Sequence, residues 1–424
     1  MGGASSHVIA LVALGSRGDV QPFVALGAAL RERGHQVRLA TSEEFRPLAV
    51  EAGLEFRALL GASPQDFFAD PDFTEVLRTT TSPAKISAAM PKPGPEQRER
   101  TLSEVRAATR DADLVVHTPH TRAAALITPG THWCCASAWP VTPTATMPAF
   151  GFPVLPFGGF YHRLTYRLLA QGEWRFFRAA VQKLRAAEGL EPLGPRAPRY
   201  CDDPHRPVLY PFSRHVFPVP ADWPPSCQVT GYWFWNRHRQ PSADLAAFVE
   251  DGPPPIAAAF GSTWMIDEQR SVRALLQAAR RTGTRVVMMD GPQEDLPGTV
   301  FRAHDVDYGW LFPRTSAVIH HGGQGTAAAA LRAGVPQVVV PSFADQPYWA
   351  RRLAALGVAA EPIPYPELGG DRLAAALAGV MADDAVAARA RQLGEAVRSE
   401  RGVESACEVV ERWAGRRAVS GVAL

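Results

Sequence analysis

The chain has 424 residues, 46% of them hydrophobic and 20% charged. That composition fits a globular protein of two or three domains, with core enough to need no disulfide or structural metal. A formal charge of +2, from 44 basic and 42 acidic side chains, gives no electrostatic footing for a nucleic-acid partner. Five cysteines without a CxxC pair argue against a zinc or redox centre and for free thiols in a reducing compartment. No apolar run reaches the roughly 18–20 residues a bilayer span needs. No basic segment precedes Val8–Leu14 as a secretory signal would require. No membrane-spanning helix is expected, and a cytoplasmic location is.

Val8–Leu14 reads as a buried strand. The turn Gly15-Ser16-Arg17-Gly18-Asp19 follows, and Phe23, Leu26 and Leu30 then share one face of a helix over Pro22–Arg33. Gly34 stops it and Gln36–Ala40 is the next strand. This βαβ unit implies a parallel sheet. Residues 61–100 lose the regularity. Leu114–His117 and Trp133–Ser137 are further short strands, residues 139–161 form a long apolar loop, and 163–188 a helix. A Pro-rich stretch, 192–225, leads to the expected domain boundary. A second α/β pattern opens with strand Ile256–Phe260 and a helix from the cap Asp267 to Thr282. Strands Arg285–Asp290, Ala317–His320 and Gln337–Pro341 follow, with helices Thr326–Ala333 and Gln346–Leu356. Residues 371–414 are mostly helical. The expected division is 1–225, 226–400 and a final helical segment, 401–424.

The segment His320-His321-Gly322-Gly323-Gln324-Gly325-Thr326 joins a strand to a helix start. Glycines let the backbone approach a ligand closely. Free N–H groups and the helix dipole suit a diphosphate there. A histidine and the Thr326 hydroxyl add donors. A bare Gly-Gly turn is as easily a tight connection with no ligand; two His, three Gly and a Thr disfavour that.

This segment, with Ala333-Gly334-Val335-Pro336, Phe343-Ala344-Asp345-Gln346-Pro347 and Trp310-Leu311-Phe312-Pro313, resembles the donor motif of family 1 glycosyltransferases. Gly15-Ser16-Arg17-Gly18-Asp19-Val20-Gln21-Pro22 resembles the start of one branch, which holds sterol glucosyltransferases and bacterial antibiotic glycosyltransferases. The matching segments cover most of the chain; 61–100 and 141–230 match only loosely. The resemblance implies a GT-B fold, two Rossmann-like α/β domains with parallel sheets facing across a cleft. Residues 1–225 would bind the acceptor and 226–400 the nucleotide sugar, and the last helix would return to the first domain.

The resemblance also assigns roles. His321, Gly323, Gly325 and Thr326 would contact the donor diphosphate, with Ser16 and Arg17 in the first turn placed on the diphosphate side too. His320 is expected to pack at the strand end. Asp345 and Gln346 would bind sugar hydroxyls, though Asp345 reads equally as the N-cap of the following helix. Ser262, Thr263, His304 and Val306 would form the nucleoside pocket. Asp19 is the candidate general base: it would accept the acceptor's proton as that hydroxyl attacks the anomeric carbon. The helix N-terminus lowers its pKa and burial raises it, or it only caps the helix. Many relatives carry His there, paired with a distant Asp; this chain carries Asp, so that dyad is not expected. His117 and His120 lie near a strand end and would either assist Asp19 or serve as surface or packing residues. The aromatics Phe67, Trp139, Phe150 and Phe152 would line an apolar acceptor mouth, or else pack between domains or against the 163–188 helix.

The expected reaction is an inverting, metal-independent transfer of a hexose, glucose or a deoxysugar, from a UDP- or dTDP-sugar. The acceptor would be a hydroxyl of a hydrophobic molecule: a natural product, polyketide, sterol or lipid. No cofactor beyond the nucleotide sugar is expected, and the protein would be a monomer or homodimer. The leading alternative is a non-catalytic partner protein of the same fold, but Thr326, Asp345 and Gln346 are retained. A dinucleotide-dependent oxidoreductase is disfavoured because the first turn is not GxGxxG, and a sugar-nucleotide epimerase because such enzymes lack the Asp345-Gln346 motif.

Overall fold

The computed structural model describes residues 6–415, apart from 61–67, 129, 202, 204–205, 238 and 292–295. It divides into two compact units. The first draws on residues below 65, on 92–235 and on residues from 401 onward; the second draws on 65–91 and 236–400. The division thus falls after Trp235, beyond the expected boundary at 225.

The first unit is built on seven parallel strands: β1 (Val8–Val12), β2 (Gln36–Thr41), β3 (Glu55–Ala58), β4 (Leu114–His117), β5 (His132–Ala136), β6 (Val208–Tyr210) and β7 (Cys227–Val229). Their order is β3-β2-β1-β4-β5-β6-β7. β1 reads VIALV and is buried over Ile9–Val12, as a strand covered on both faces must be. Helix Arg17–Glu32 packs Val24, Leu26 and Leu30 onto it. That helix begins ahead of the expected Pro22. Ser16 is its N-cap and Pro22 lies inside it; near a helix start, the missing N–H leaves just one carbonyl, that of Gly18, without its bond. Helix Gly402–Ala414 buries Ala406, Cys407, Val409 and Val410 in the same core. Arg33 and His35 bond its Glu411 at 2.9 and 3.2 Å.

The second unit carries β8 (Ile256–Ala259), β9 (Val286–Met289), β10 (Val300–Ala303), β11 (Ala317–His320) and β12 (Gln337–Val339). All are parallel, in the order β10-β9-β8-β11-β12. Along β8, Ile256 and Ala258 face one core while Ala257 and Ala259 face the other. Helix Glu268–Thr282 is capped by Asp267 and ends at left-handed Gly283, as read from the sequence. Helices Pro71–Thr79 and Pro83–Ala89 belong to this unit. Their Phe73, Leu77 and Ile86 sit in one core with Phe260, Trp264 and Ile266.

Strands β3 and β10 are edge strands with mixed burial, and β6 and β7 span three residues each. None carries enough periodicity to be anticipated. Among the described residues no helix is long and apolar enough to cross a membrane.

Gly402 is buried, and a Cβ there would stand 2.2 Å from the Tyr232 carbonyl oxygen. Gly402→Ala should therefore lever the last helix off the first core and destabilise the protein by about 1–3 kcal/mol, read as a lower denaturation midpoint.

Candidate active site

Each sheet reverses its strand order once, between β1 and β4 in the first unit and between β8 and β11 in the second. Open parallel sheets bind ligands at the carboxyl ends of the strands flanking such a switch point. Asp19 and His120 follow β1 and β4, and Ser262, Thr263 and His321 follow β8 and β11, whereas His304 lies beyond β10 and Asp345 beyond β12.

In the second unit, β11 ends in His320, which is fully buried. Its Nδ1 accepts the Gly322 N–H at 3.0 Å and its Nε2–H donates to Gln337 at 2.9 Å. Burial pushes its pKa down to about 3, so it is a neutral strut. His321 points the other way. Its Nδ1–H donates to the Ala259 carbonyl at the end of β8, at 3.3 Å, which leaves Nε2 to meet a ligand. Burial lowers this imidazole too, and the Ala259 bond opposes that. The ring lies against Gly323, where a Cβ would be 2.3 Å from Nε2. Gly322 turns with φ +88°.

Helix Gln324–Ala333 then starts from Gly323 with no side-chain cap. Its first-turn amides, Gly325 and Thr326 among them, have no intrahelical acceptor. The helix opens two residues ahead of the expected Thr326 because Gly323, not a polar side chain, is its N-cap.

Asp345 stands at the start of helix Gln346–Ala355, and its carboxylate accepts the Trp349 Nε1–H at 3.0 Å. Gln346 Oε1 accepts from the Ser342 N–H and Oγ–H at 2.9 and 2.8 Å. Its amide NH2 is thus the part that can meet a sugar. Thr263 is wholly buried, so a ligand would meet the backbone of its loop rather than its hydroxyl. Ser262 lies in the same 3-10 turn after β8; its side chain is outside the described set. His304 is exposed beyond β10 and bonds Asp290 at 3.2 Å, while Val306 packs against the second unit's core.

In the first unit, Asp19 lies in the first turn of the helix after β1. Its Oδ2 accepts the Ser16 N–H and Oγ–H at 2.7 and 3.0 Å. The carboxylate fills the place of a side chain at Gly15, whose Cβ would come within 2.3 Å of Oδ2. Burial raises the Asp19 carboxyl above the usual range, against the pull of a nearby His120 charge and the Ser16 bonds. His120 follows β4 and packs its ring against Trp139, centroids 5.3 Å apart and tilted by 47°. Desolvation by the protein packed around its ring lowers the His120 pKa, Asp19 draws it back up and Arg122 depresses it further. Arg122 is clamped by Glu173, which steadies the turn Pro119–Leu126 that carries His120.

His117 is buried, with Nδ1–H bonded to the Thr118 carbonyl at 2.8 Å and Nε2 to the Tyr200 hydroxyl. Burial takes its pKa to about 3, so it is a strut and not an assistant to Asp19. Arg17 bonds Gln21 on the exposed side of the helix.

Of the expected acceptor residues, the structure brings Trp139 to the Asp19–His120 pair. Phe150 and Phe152 are half-buried in the loop that follows, and Phe67 lies outside the described residues. That loop is pinned: Asp222 accepts from Thr144 and Ala145 at 2.6 and 2.8 Å, and the Tyr210 hydroxyl accepts the Thr142 N–H at 2.9 Å.

Comparison with known proteins shows the family and the fold. Residues 9–118 match the family described as glycosyltransferase family 28 N-terminal domain. Residues 275–413 match the erythromycin biosynthesis protein CIII-like C-terminal domain. The O-mycaminosyltylonolide 6-deoxyallosyltransferase of Streptomyces fradiae is 46% identical over 96% of this chain and 98% of its own length. The chain belongs to this glycosyltransferase family. A sterol 3-beta-glucosyltransferase of Arabidopsis thaliana is 31% identical over 95% of the chain and 68% of its own length. Among solved structures, the calicheamicin glycosyltransferase superposes with a TM-score of 0.67 at 20% identity, covering 97% of this chain and 99% of that one. The glycosyltransferase therefore has the GT-B fold.

The packing of His321 against Gly323 gives a direct check. Gly323→Ala would drive the imidazole from its place, and the glycosyltransferase should lose at least about tenfold in transfer rate, the worth of one charge-assisted hydrogen bond, with its melting temperature nearly unchanged.

Proposed function

We propose that the glycosyltransferase moves a hexose from a UDP- or dTDP-sugar onto a hydroxyl of a hydrophobic natural product, with inversion and without a metal. The observation that carries the reading is the paired construction at the two switch points: a diphosphate-type loop in one unit and a carboxylate with a free oxygen in the other. The name of the Streptomyces fradiae relative favours a 6-deoxyhexose as the sugar and a polyketide-derived hydroxyl as the acceptor. Trp139 beside His120 supplies an apolar face for such an acceptor.

In this mechanism the acceptor oxygen bonds to the anomeric carbon while the carbon–diphosphate bond breaks. The proton passes to Asp19. Both Ser16 bonds end on Oδ2, and no bond to Oδ1 is made among the described residues, so Oδ1 is the receiving atom. A carboxylate whose pKa burial has raised is a stronger base than one in water. The electron pair leaves with the diphosphate. His321 and the amides that open helix Gln324–Ala333 take up the growing charge, and they do so more in the transition state than in the ground state. The product nucleotide leaves from the same amides.

Two measurements test the reading. Asp19→Asn should lower kcat by about 10²–10⁴-fold while leaving the dissociation constant for the nucleoside diphosphate unchanged; near-normal turnover would remove Asp19 as the base. The pH profile carries a sign. The base works deprotonated, so kcat/KM falls as pH drops through the raised Asp19 pKa. The His120 charge lowers that pKa, so His120→Asn should move the acid limb to higher pH.

A second sign concerns His321. Its free nitrogen, Nε2, can donate to a phosphate oxygen only when protonated, because Nδ1–H is committed to Ala259. Burial depresses that protonation in the free enzyme, and a bound diphosphate favours it. Nucleotide binding should therefore take up a proton and tighten as pH falls, measured by calorimetry in buffers of different ionisation enthalpy. Binding without proton uptake in His321→Ala, against uptake in the wild type, would locate the proton.

A further inference from the structure

The turn after β12 holds a strained residue. Ala344 has φ +55°, a left-handed conformation that an L side chain adopts at a cost and keeps only when its surroundings impose it. Ala344 lies between Phe343 and Asp345, in the turn whose Asp345 and Gln346 the family resemblance assigns to the sugar hydroxyls. The turn is gripped from two sides. On one, the Gln346 side-chain oxygen Oε1 accepts from Ser342 N–H, Ser342 Oγ–H and, at 3.4 Å, Phe343 N–H. On the other, the Phe343 ring meets Phe68 at 5.9 Å and 76°, and Phe73 at 5.7 Å and 89°. Both are edge-to-face contacts, the arrangement aromatic rings prefer.

Phe68 and Phe73 come from far upstream, yet they pack in the second unit. Phe73 is completely buried. Its helix, Pro71–Thr79, is anchored independently: Asp70 caps it, and Arg78 Nε–H donates to the Ile266 carbonyl at 2.9 Å. The turn also closes on the diphosphate loop, since a Cβ on Gly322 would lie 3.1 Å from the Gln346 carbonyl oxygen. A shift at Phe343 would therefore be felt by Asp345 and Gln346 directly.

We propose that Phe68 and Phe73 are positioning residues for sugar recognition: they wedge Phe343, hold Ala344 left-handed, and so fix the orientation in which Asp345 and Gln346 meet the hexose. The upstream helix pair thereby sets selectivity for the sugar without touching it. The inference rests on the reading that this turn contacts the sugar.

The test is isothermal titration of the intact enzyme with UDP and dTDP, and with UDP-glucose and dTDP-glucose. The quantity read is the ratio of nucleotide-sugar affinity to bare-nucleotide affinity. Phe73→Leu and Phe68→Ala should each lower that ratio, by roughly tenfold for the more buried site, with bare-nucleotide affinity retained as proof that the unit is folded. Adding Ala344→Gly to Phe73→Leu should recover part of the loss, because glycine keeps the left-handed turn without a wedge. Asp345→Ala separates the two layers of the argument. If it lowers the ratio while Phe73→Leu and Phe68→Ala leave it at the wild-type value, the positioning role is overturned and the sugar site stands. If Asp345→Ala also leaves the ratio unchanged, the turn does not contact sugar and both fall. Should Phe73→Leu lose nucleotide binding altogether, Phe68→Ala, at the rim of the same core, decides the matter.

Discussion

A parallel sheet whose strand order reverses leaves one place at its carboxyl edge where two neighbouring loops diverge. Both sheets of this glycosyltransferase reverse once, and the chemistry-bearing residues follow from that constraint. Asp19 follows β1 and His120 follows β4, so the β1–β4 pairing brings them together across a hundred residues of sequence. Likewise β8 and β11 are neighbours, which lets the His321 ring reach from one strand end to the Ala259 carbonyl of the other. Asp19 and His120, like His321 and Ala259, are far apart in sequence. The sheets supply the proximity, and continuous apolar strands such as β1 and β8 pin the register because they are buried on both faces.

The two units use histidine in the same way. In each, the strand across the reversal ends in a buried histidine: His117 on β4 and His320 on β11. Both are held neutral by burial, with pKa values near 3, and both spend their nitrogens on internal bonds. Each is followed within a few residues by a second histidine, His120 or His321, that the neighbouring loop holds and that does not end in the core. The strut fixes where the strand stops; the next histidine inherits that position. In both units the proton placement is dictated by what each nitrogen faces, since a nitrogen bonded to a carbonyl must carry hydrogen.

Much of this was legible in the sequence because it is local. The Gly-rich turn after β11, the cap at Asp267, the stop at Gly283 and the burial of His320 are each decided within a few residues. What was not legible is what depends on packing from afar. Helices Pro71–Thr79 and Pro83–Ala89 lie in a stretch of Pro, Ser and Thr with no evident period, and nothing local reveals that Phe68 and Phe73 belong with Phe343. The approach of His120 to Asp19 is hidden likewise, because strand pairing creates it. The early start of helix Arg17–Glu32 was masked by Pro22, whose usual place is a first turn; an interior proline was tolerated because it sits so close to that turn. Strands β3 and β10 escaped because an edge strand needs no unbroken apolar run.

Backbone strain separates the two units. Among the described residues, three that are not glycine have positive φ, and all lie past strand ends of the second sheet: Asp290 after β9, Asp305 after β10 and Ala344 beyond β12. In the first unit every positive φ falls on glycine. Glycine would have satisfied the same turns at no steric cost, but it would also have left them free to take other shapes. Each strained residue is instead held by a separate device: Asp290 by His304, Asp305 by Arg237, Ala344 by the neighbours of Phe343 and Gln346. Strain of this kind persists only where the surroundings over-determine the conformation. A rim built this way presents one geometry to a ligand before the ligand arrives, and preorganisation is what a site needs when its ligand's hydroxyls differ only in direction. The first unit, with glycine at its turns, has no such restriction. On the proposed placement of the sugar at the second unit, this rigidity lies where one sugar would be told from another.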